Sequence, residues 1–129
     1  MEKSCGCIII DEQKVLLVQQ CSGNWGFPKG HVEENETEYE TAIREVKEET
    51  NLDVQIIKDK RYQINYDLDN GKNKEVVFFV AKLEGGKIKP QNKELIKAKW
   101  MGFQEALETI TYDNTRKLFE KVLKDEKLI

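Results

Sequence analysis

The chain has 129 residues, with 21 Lys and Arg against 24 Asp and Glu and 39% hydrophobic residues. That length suits a single domain over residues 1–129 with one sizeable core, and the apolar runs are too regular for a disordered chain. No run approaches the roughly 18 apolar residues of a membrane span, and the net charge of −3 gives no electrostatic reason for tight DNA, RNA or membrane binding.

The charge is unevenly spread. Glu33, Glu34, Glu36, Glu38, Glu40, Glu45, Glu48 and Glu49 stand against only Arg44 and Lys47, so this window carries −6. The remaining 19 bases and 16 acids leave the rest of the chain at +3. Cys5, Cys7 and Cys21 lack paired C-x-x-C spacing, which argues against a disulfide framework or a zinc site and suits a reducing compartment. The N-terminus has no long apolar segment behind its charges, and a cytoplasmic location is expected.

In chain order, Cys5 to Ile10 reads as a strand, with Cys5 and Cys7 on one buried face. A polar turn at Asp11 to Lys14 leads into a second strand, Val15 to Gln20, making a hairpin. Cys21 to Val32 reads as a loop anchored by Trp25 and Phe27. Thr37 to Thr50 is the best helix, with Tyr39, Ala42, Ile43 and Val46 forming one apolar stripe. Thr37 and Glu40 fit a capping box, and Asn51 suits the left-handed position that stops a helix. Strands are predicted at Val54 to Ile57, Arg61 to Tyr66, Val76 to Leu83 and Lys97 to Met101, with a hairpin turn at Asp69-Asn70-Gly71 and another turn at Gly85-Gly86. Gln104 to Thr109 and Asn114 to Asp125 read as helices, the latter burying Leu118, Phe119, Val122 and Leu123. Runs of strands with helices inserted between them indicate an α+β fold, a mixed sheet flanked by helices.

On the first helix, Glu45, Glu48 and Glu49 fall at i, i+3 and i+4 and share a face. A solvated acidic face is one reading. The other is that divalent cations supply the missing charge, since clustered hard oxygen ligands suit Mg²⁺ or Mn²⁺.

Gly30, Glu36, Arg44, Glu45, Val46, Glu48, Glu49 and Leu52 stand at the spacing G-x5-E-x7-R-E-U-x-E-E-x-G-U, where U is aliphatic. This resembles the signature of the Nudix hydrolases, with Asn51 in place of the second glycine. The resemblance implies an α/β/α sandwich and hydrolysis of a nucleoside diphosphate linked to another group, using Mg²⁺ or Mn²⁺. By motif position it implies metal ligation by Glu45, Glu48, Glu49 and the Gly30 carbonyl. It makes Arg44 the residue that holds the catalytic helix in orientation, and Glu36 its supporting carboxylate.

Outside the motif the chain is most similar to the asymmetrical diadenosine tetraphosphate hydrolases. The resemblance runs through Trp25-Gly26-Phe27-Pro28-Lys29-Gly30-His31-Val32-Glu33, Arg61 to Tyr66, Lys74 to Ala81, and Lys93-Glu94 to Gly102. It implies a dinucleoside polyphosphate substrate, cut to ATP and AMP. Trp25, Phe27, Tyr66, Phe78 and Tyr112 are then candidates for the nucleoside, and Lys29, Lys72 and Lys74 for the phosphates. His31 is a candidate for substrate contact or a supporting role. Glu94 is a further candidate ligand or base. Each has a plainer reading as a packing residue or a solvated turn, and Glu38 and Glu40 are expected to be solvated or capping. The alternatives are a MutT-like nucleoside triphosphate pyrophosphohydrolase, an RNA 5′-end pyrophosphohydrolase, or a nucleotide-sensing module without the reaction. A sensor would be expected to have lost a motif glutamate or Arg44, and all are present.

Overall fold

The computed structural model describes residues 2–89 and 95–128. β1 (Glu2–Asp11) and β2 (Lys14–Gln20) form the expected hairpin. Its turn residues, Glu12 and Gln13, both have positive φ, the tight mirror-image turn whose twist matches the strands. The two strands pair only at the turn end, Ile10 with Val15 and Asp11 with Lys14. Beyond it they diverge, and the loop that follows fills the split. β3 (Trp25–Gly26) pairs with β2, and β4 (Lys29–His31) pairs with β1. The segment expected to be irregular is therefore stitched into the sheet at both ends. Gly6 makes this possible, because a Cβ there would stand 2.0 Å from the Pro28 carbonyl oxygen.

α1 (Glu38–Thr50) follows. Thr37 and Glu40 form the capping box, and Asn51 closes the helix at φ 68°. β5 (Asp53–Asp67) is one long edge strand where two were expected; its register shifts between Ile56 and Arg61, at the predicted break. It turns back at Leu68–Lys72 into β6 (Asn73–Gly85), which runs antiparallel to β5 and parallel to β1. β7 (Leu95–Gly102) pairs with the other edge of β2, and α2 (Phe103–Thr109) and α3 (Asp113–Asp125) complete the described chain.

The sheet is covered on both faces, and strand alternation divides the core in two. Cys5, Cys7, Ile9, Val77, Phe79 and Ala81 face α1 through Ala42 and Val46. Ile8, Val76, Phe78 and Val80 face α2 and α3 through Ala106, Leu118, Phe119, Val122 and Leu123. Phe78 and Phe79 do point to opposite faces, but both are buried, since neither face is open there. The α1 stripe is also displaced from expectation. Thr41, Ala42, Val46, Glu49 and Thr50 are buried while Ile43 is 45% exposed. Among the described residues no helix is long and apolar enough to cross a membrane.

Candidate active site

The site is organised by β4. Cys5 lies on the α1 side of the sheet, so its partner Gly30 faces α1 as well. Ser4 and Gly6 project to the other side, as do their partners His31 and Lys29. One three-residue strand thus turns a glycine toward the glutamate helix and two basic residues away from it.

On the helix side, the Glu45 carboxylate rests directly on Gly30: a Cβ there would lie 1.7 Å from Glu45 Oε1. Only glycine lets the carboxylate come this close to the β4 backbone. The Glu49 carboxylate accepts a hydrogen bond from the Lys29 backbone N–H at 3.0 Å. Glu49 is only 5% exposed, so of the two readings the solvated acidic face does not hold for it. The reason is helical geometry, since residue 49 is seven positions after Ala42 and falls on the core stripe. Burial, followed by the charge of Glu45, pushes its carboxyl up to about 8. Burial also raises Glu45, with Arg44 opposing and Glu48 adding repulsion. Glu48 stands at the solvent edge with its side chain 55% exposed.

Arg44 ties these parts together. Its Nε and Nη2 donate to the two oxygens of Glu36 at 2.7 and 3.0 Å, a bidentate pair. Nη2 also donates to the His31 carbonyl at 3.0 Å, and Nη1 reaches Glu48 at 3.1 Å and Glu45 at 3.5 Å. Glu36 further accepts from the Glu33 N–H and the Thr41 hydroxyl. The Arg44 hydrogen bond is the main reason its carboxyl is held down at about 2. β4, the loop before α1 and α1 itself are therefore locked through one guanidinium.

Glu45, Glu48, Glu49 and the Gly30 carbonyl are hard oxygen donors of the kind that suits Mg²⁺ or Mn²⁺. Arg44 and the Lys29 N–H engage these side chains, and among the described residues no three carboxylate, imidazole or thiolate groups already converge on one ion-sized point. With the Glu45 carboxylate lying against the Gly30 backbone and Glu48 and Glu49 on the same helix, it is the chemistry of the donor set that fits such a cation.

On the other side of β4 lies a polar row. Tyr66 pairs with Lys74, Lys74 with Glu2, and Ser4 with His31. Lys74 is only 6% exposed, and its amine donates to the Ser4 hydroxyl at 2.7 Å and lies 3.2 Å from His31 Nε2. Burial first, then the nearby Lys29, lowers its pKa, and burial lowers that of Lys29 too. Tyr66 is raised by burial and then by the neighbouring Tyr112. The connector between α2 and α3 joins this row to the loop ahead of β4: Trp25 N–H donates to the Thr111 hydroxyl at 2.8 Å, and the Asn24 amide donates to the Tyr112 hydroxyl at 2.8 Å.

A NUDIX domain family model matches residues 2–122. The chain belongs to the Nudix hydrolase family. It is 31% identical to the asymmetrical bis(5'-nucleosyl)-tetraphosphatase of Mus musculus over 120 residues, 81% of each chain. It is 32% identical to the m7GpppN-mRNA hydrolase of Saccharomyces cerevisiae over 115 residues, covering 86% of this chain and 12% of that protein. Among solved structures it superposes on a C. elegans Ap4A hydrolase binary complex with TM-score 0.87 and 28% identity, covering all of both chains. Nudix hydrolases generally use divalent metals such as Mg²⁺.

The fold of this Nudix hydrolase brings together Lys29, His31, Tyr66, Lys74 and Tyr112, with Tyr112 57% exposed and Trp25 partly buried beside them. Two candidates for the nucleoside are corrected. Phe27 and Phe78 stack edge to face at 5.4 Å, with Phe119 on the other side of Phe27, and neither offers an open face to a base. Lys72 lies in the exposed turn before β6 rather than in the row. Glu94 is outside the described residues. Glu40 caps as expected, but Glu38 is not merely solvated: Arg61 grips it with two hydrogen bonds of 2.8 Å, and Lys3 adds a third contact. Ser4, Asn24 and Thr111 were missed by the sequence reading. Ser4 left little signal, standing between the charged Glu2-Lys3 pair and the apolar run that begins at Cys5.

A cleft of about 760 Å³ lies elsewhere, between Asp59–Ile64 of β5 and α3. Lys60 and Glu126 ion-pair across its rim, so it reads as a groove between strand and helix, and Glu45, Glu48 and Glu49 do not line it.

Proposed function

We propose that this Nudix hydrolase cuts dinucleoside polyphosphates, splitting diadenosine tetraphosphate asymmetrically into ATP and AMP. The observation that carries this reading is the division made by β4, with carboxylates on one side and a row of amines and tyrosines, Lys74 the buried one among them, on the other. A polyphosphate chain needs both: oxygen donors for its cations and ammonium groups for its own charge. The likeness to the mouse tetraphosphatase and the C. elegans Ap4A hydrolase supports the same choice.

Glu45, Glu48, Glu49 and the Gly30 carbonyl are the residues we assign to Mg²⁺, with Mn²⁺ as a substitute and Glu94 as a further candidate. Bound there, a divalent cation supplies charge neutralisation on the phosphate oxygens and makes water more acidic. The chain's own groups do the rest. Water adds across one phosphoanhydride bond, its oxygen bonding to phosphorus as the bridging P–O bond breaks and ATP departs. The α1 carboxylates take the proton as a coupled set, with Glu49 the most buried and strongly raised of them. Arg44 fixes their orientation through Glu36 and the His31 carbonyl. Lys29, Lys74 and His31 hold the phosphate chain, and Tyr66, Tyr112 and Trp25 wall the nucleoside.

The test is a nucleotide panel assayed with Mg²⁺, with products separated by chromatography. Diadenosine tetraphosphate should give equal ATP and AMP. Much faster turnover of nucleoside triphosphates, or of a 5′-triphosphorylated RNA end, would replace this substrate with the other. A cytoplasmic, single-domain enzyme over residues 1–129 is part of the same proposal.

A further inference from the structure

Lys74 is a buried cation that makes no direct ion pair among the described residues, with Glu2 acting on it only at longer range. Glu2 sits beside it across the β1–β6 ladder, but its carboxylate is turned toward His31, 3.6 Å from Nε2. Among the described residues no carboxylate lies within ion-pair distance of the Lys74 amine. Its polar contacts are the Ser4 hydroxyl and His31 Nε2. An ammonium has three N–H donors and no acceptor, so at least one donor is left beyond these two contacts. An unspent donor on a buried charge is costly unless an anion comes to it.

Ser4 occupies the position that can hold this group. β1 lies between β4 and β6, and Ser4 pairs with His31 on one side and Val76 on the other. Lys74 is two residues before Val76 and projects to the same face. Ser4 is 1% exposed, so its hydroxyl is committed to this contact rather than to water.

We propose that Ser4 is a positioning residue for substrate phosphate: its hydroxyl fixes the Lys74 ammonium beside His31, with a donor left for a phosphate oxygen. The inference rests on the reading that Lys74 meets the phosphate chain. Without the hydroxyl, the four-carbon stem is free to turn its amine elsewhere, and the buried charge loses a partner. One hydrogen bond to a charged group corresponds to about a tenfold change in affinity.

The probe is inorganic tripolyphosphate, titrated calorimetrically into the full chain in the presence of a metal chelator. Ser4→Ala should weaken its binding about tenfold, and Lys74→Gln should weaken it at least as much. Ser4→Ala made in the Lys74→Gln background should add nothing, because the hydroxyl acts only through the amine. With Mg²⁺ and diadenosine tetraphosphate, Ser4→Ala should raise KM by the same factor and leave kcat within about twofold. Equal losses from Ser4→Ala in both backgrounds would reduce Ser4 to a packing residue and overturn the proposal. So would unchanged tripolyphosphate affinity in either single variant. If diadenosine tetraphosphate is not a substrate, the proposed function fails, while the tripolyphosphate titrations still judge Ser4.

Discussion

Replacing Glu49 by Gln should stabilise the metal-free protein, and more so as pH rises. Burial and the charge of Glu45 move the Glu49 carboxyl from 4.5 to about 8. At about 1.4 kcal/mol for each tenfold change in proton affinity, ionising it in the folded state costs about 3–5 kcal/mol. Below pH 4.5 the carboxyl is protonated in both states and contributes nothing. Between pH 4.5 and about 8 the folded protein keeps a proton that the unfolded chain has released, so stability falls as pH rises. Above about 8 the loss is complete. Glutamine has no such titration, and its amide oxygen still accepts from the Lys29 N–H. Urea unfolding in EDTA from pH 5 to 9 should show wild type losing several kcal/mol across the window, while Glu49→Gln loses clearly less, the remainder coming from Glu45, which burial also raises. Cys5 and Cys7, pushed up to about 11 and about 12, keep their thiols out of this range. Parallel curves for the two proteins, or a wild type more stable at pH 8.5 than at pH 5.5, would refute the argument.

Added Mg²⁺ should raise the wild-type Tm more at pH 8 than at pH 5.5, since a cation competes with the proton for the same carboxylates; calorimetric melting scans test this. Gly30→Ala and Gly6→Ala should fail differently. At Gly30 the new methyl meets the movable end of Glu45, so activity should fall at least tenfold with Tm nearly unchanged; at Gly6 it meets the Pro28 backbone, so Tm should fall sharply. Glu48→Gln should lose several orders of magnitude in kcat with an unchanged circular dichroism spectrum, because Glu48 is at the solvent edge and supports no packing. In acid, stability should drop as pH falls from 4.5 toward 2, as Glu36 and Glu38, both held down at about 2 by arginine hydrogen bonds, take up protons; Glu38→Gln should lessen the drop.

Where local rules suffice, the sequence was legible. The capping box at Thr37, the left-handed Asn51 and the α3 stripe depend on neighbours within a turn, and the structure has them as read. The motif spacing led to the Nudix family for a related reason: a glycine, an arginine and three glutamates at fixed offsets are what one helix and one preceding strand require. Phe27 and Phe78 were misread because an aromatic residue before or within a strand looks the same whether it faces a ligand or a helix. Only the placement of α3 over that face closes it. The burial of Glu49 was not legible because three carboxylates at i, i+3 and i+4 share a face, and the spacing does not say where that face ends and the core begins.

The opening charge imbalance shows the same boundary. By itself the sequence determined that eight glutamates crowd one short window, that some lie together on a helix, and that cations are a fitting answer. Helical periodicity and charge are local properties, written residue by residue. Tertiary structure decided how several of those glutamates are employed. Glu38 is held by Arg61 of β5, and Glu45 and Glu49 lie against β4, whereas the Glu40 cap and the Glu36 pair with Arg44 were already written in the local spacing. It also set Lys74, Ser4 and His31 side by side from three strands. Such meetings depend on sheet register, which brings residues 70 positions apart within 2.7 Å. No local pattern encodes that distance.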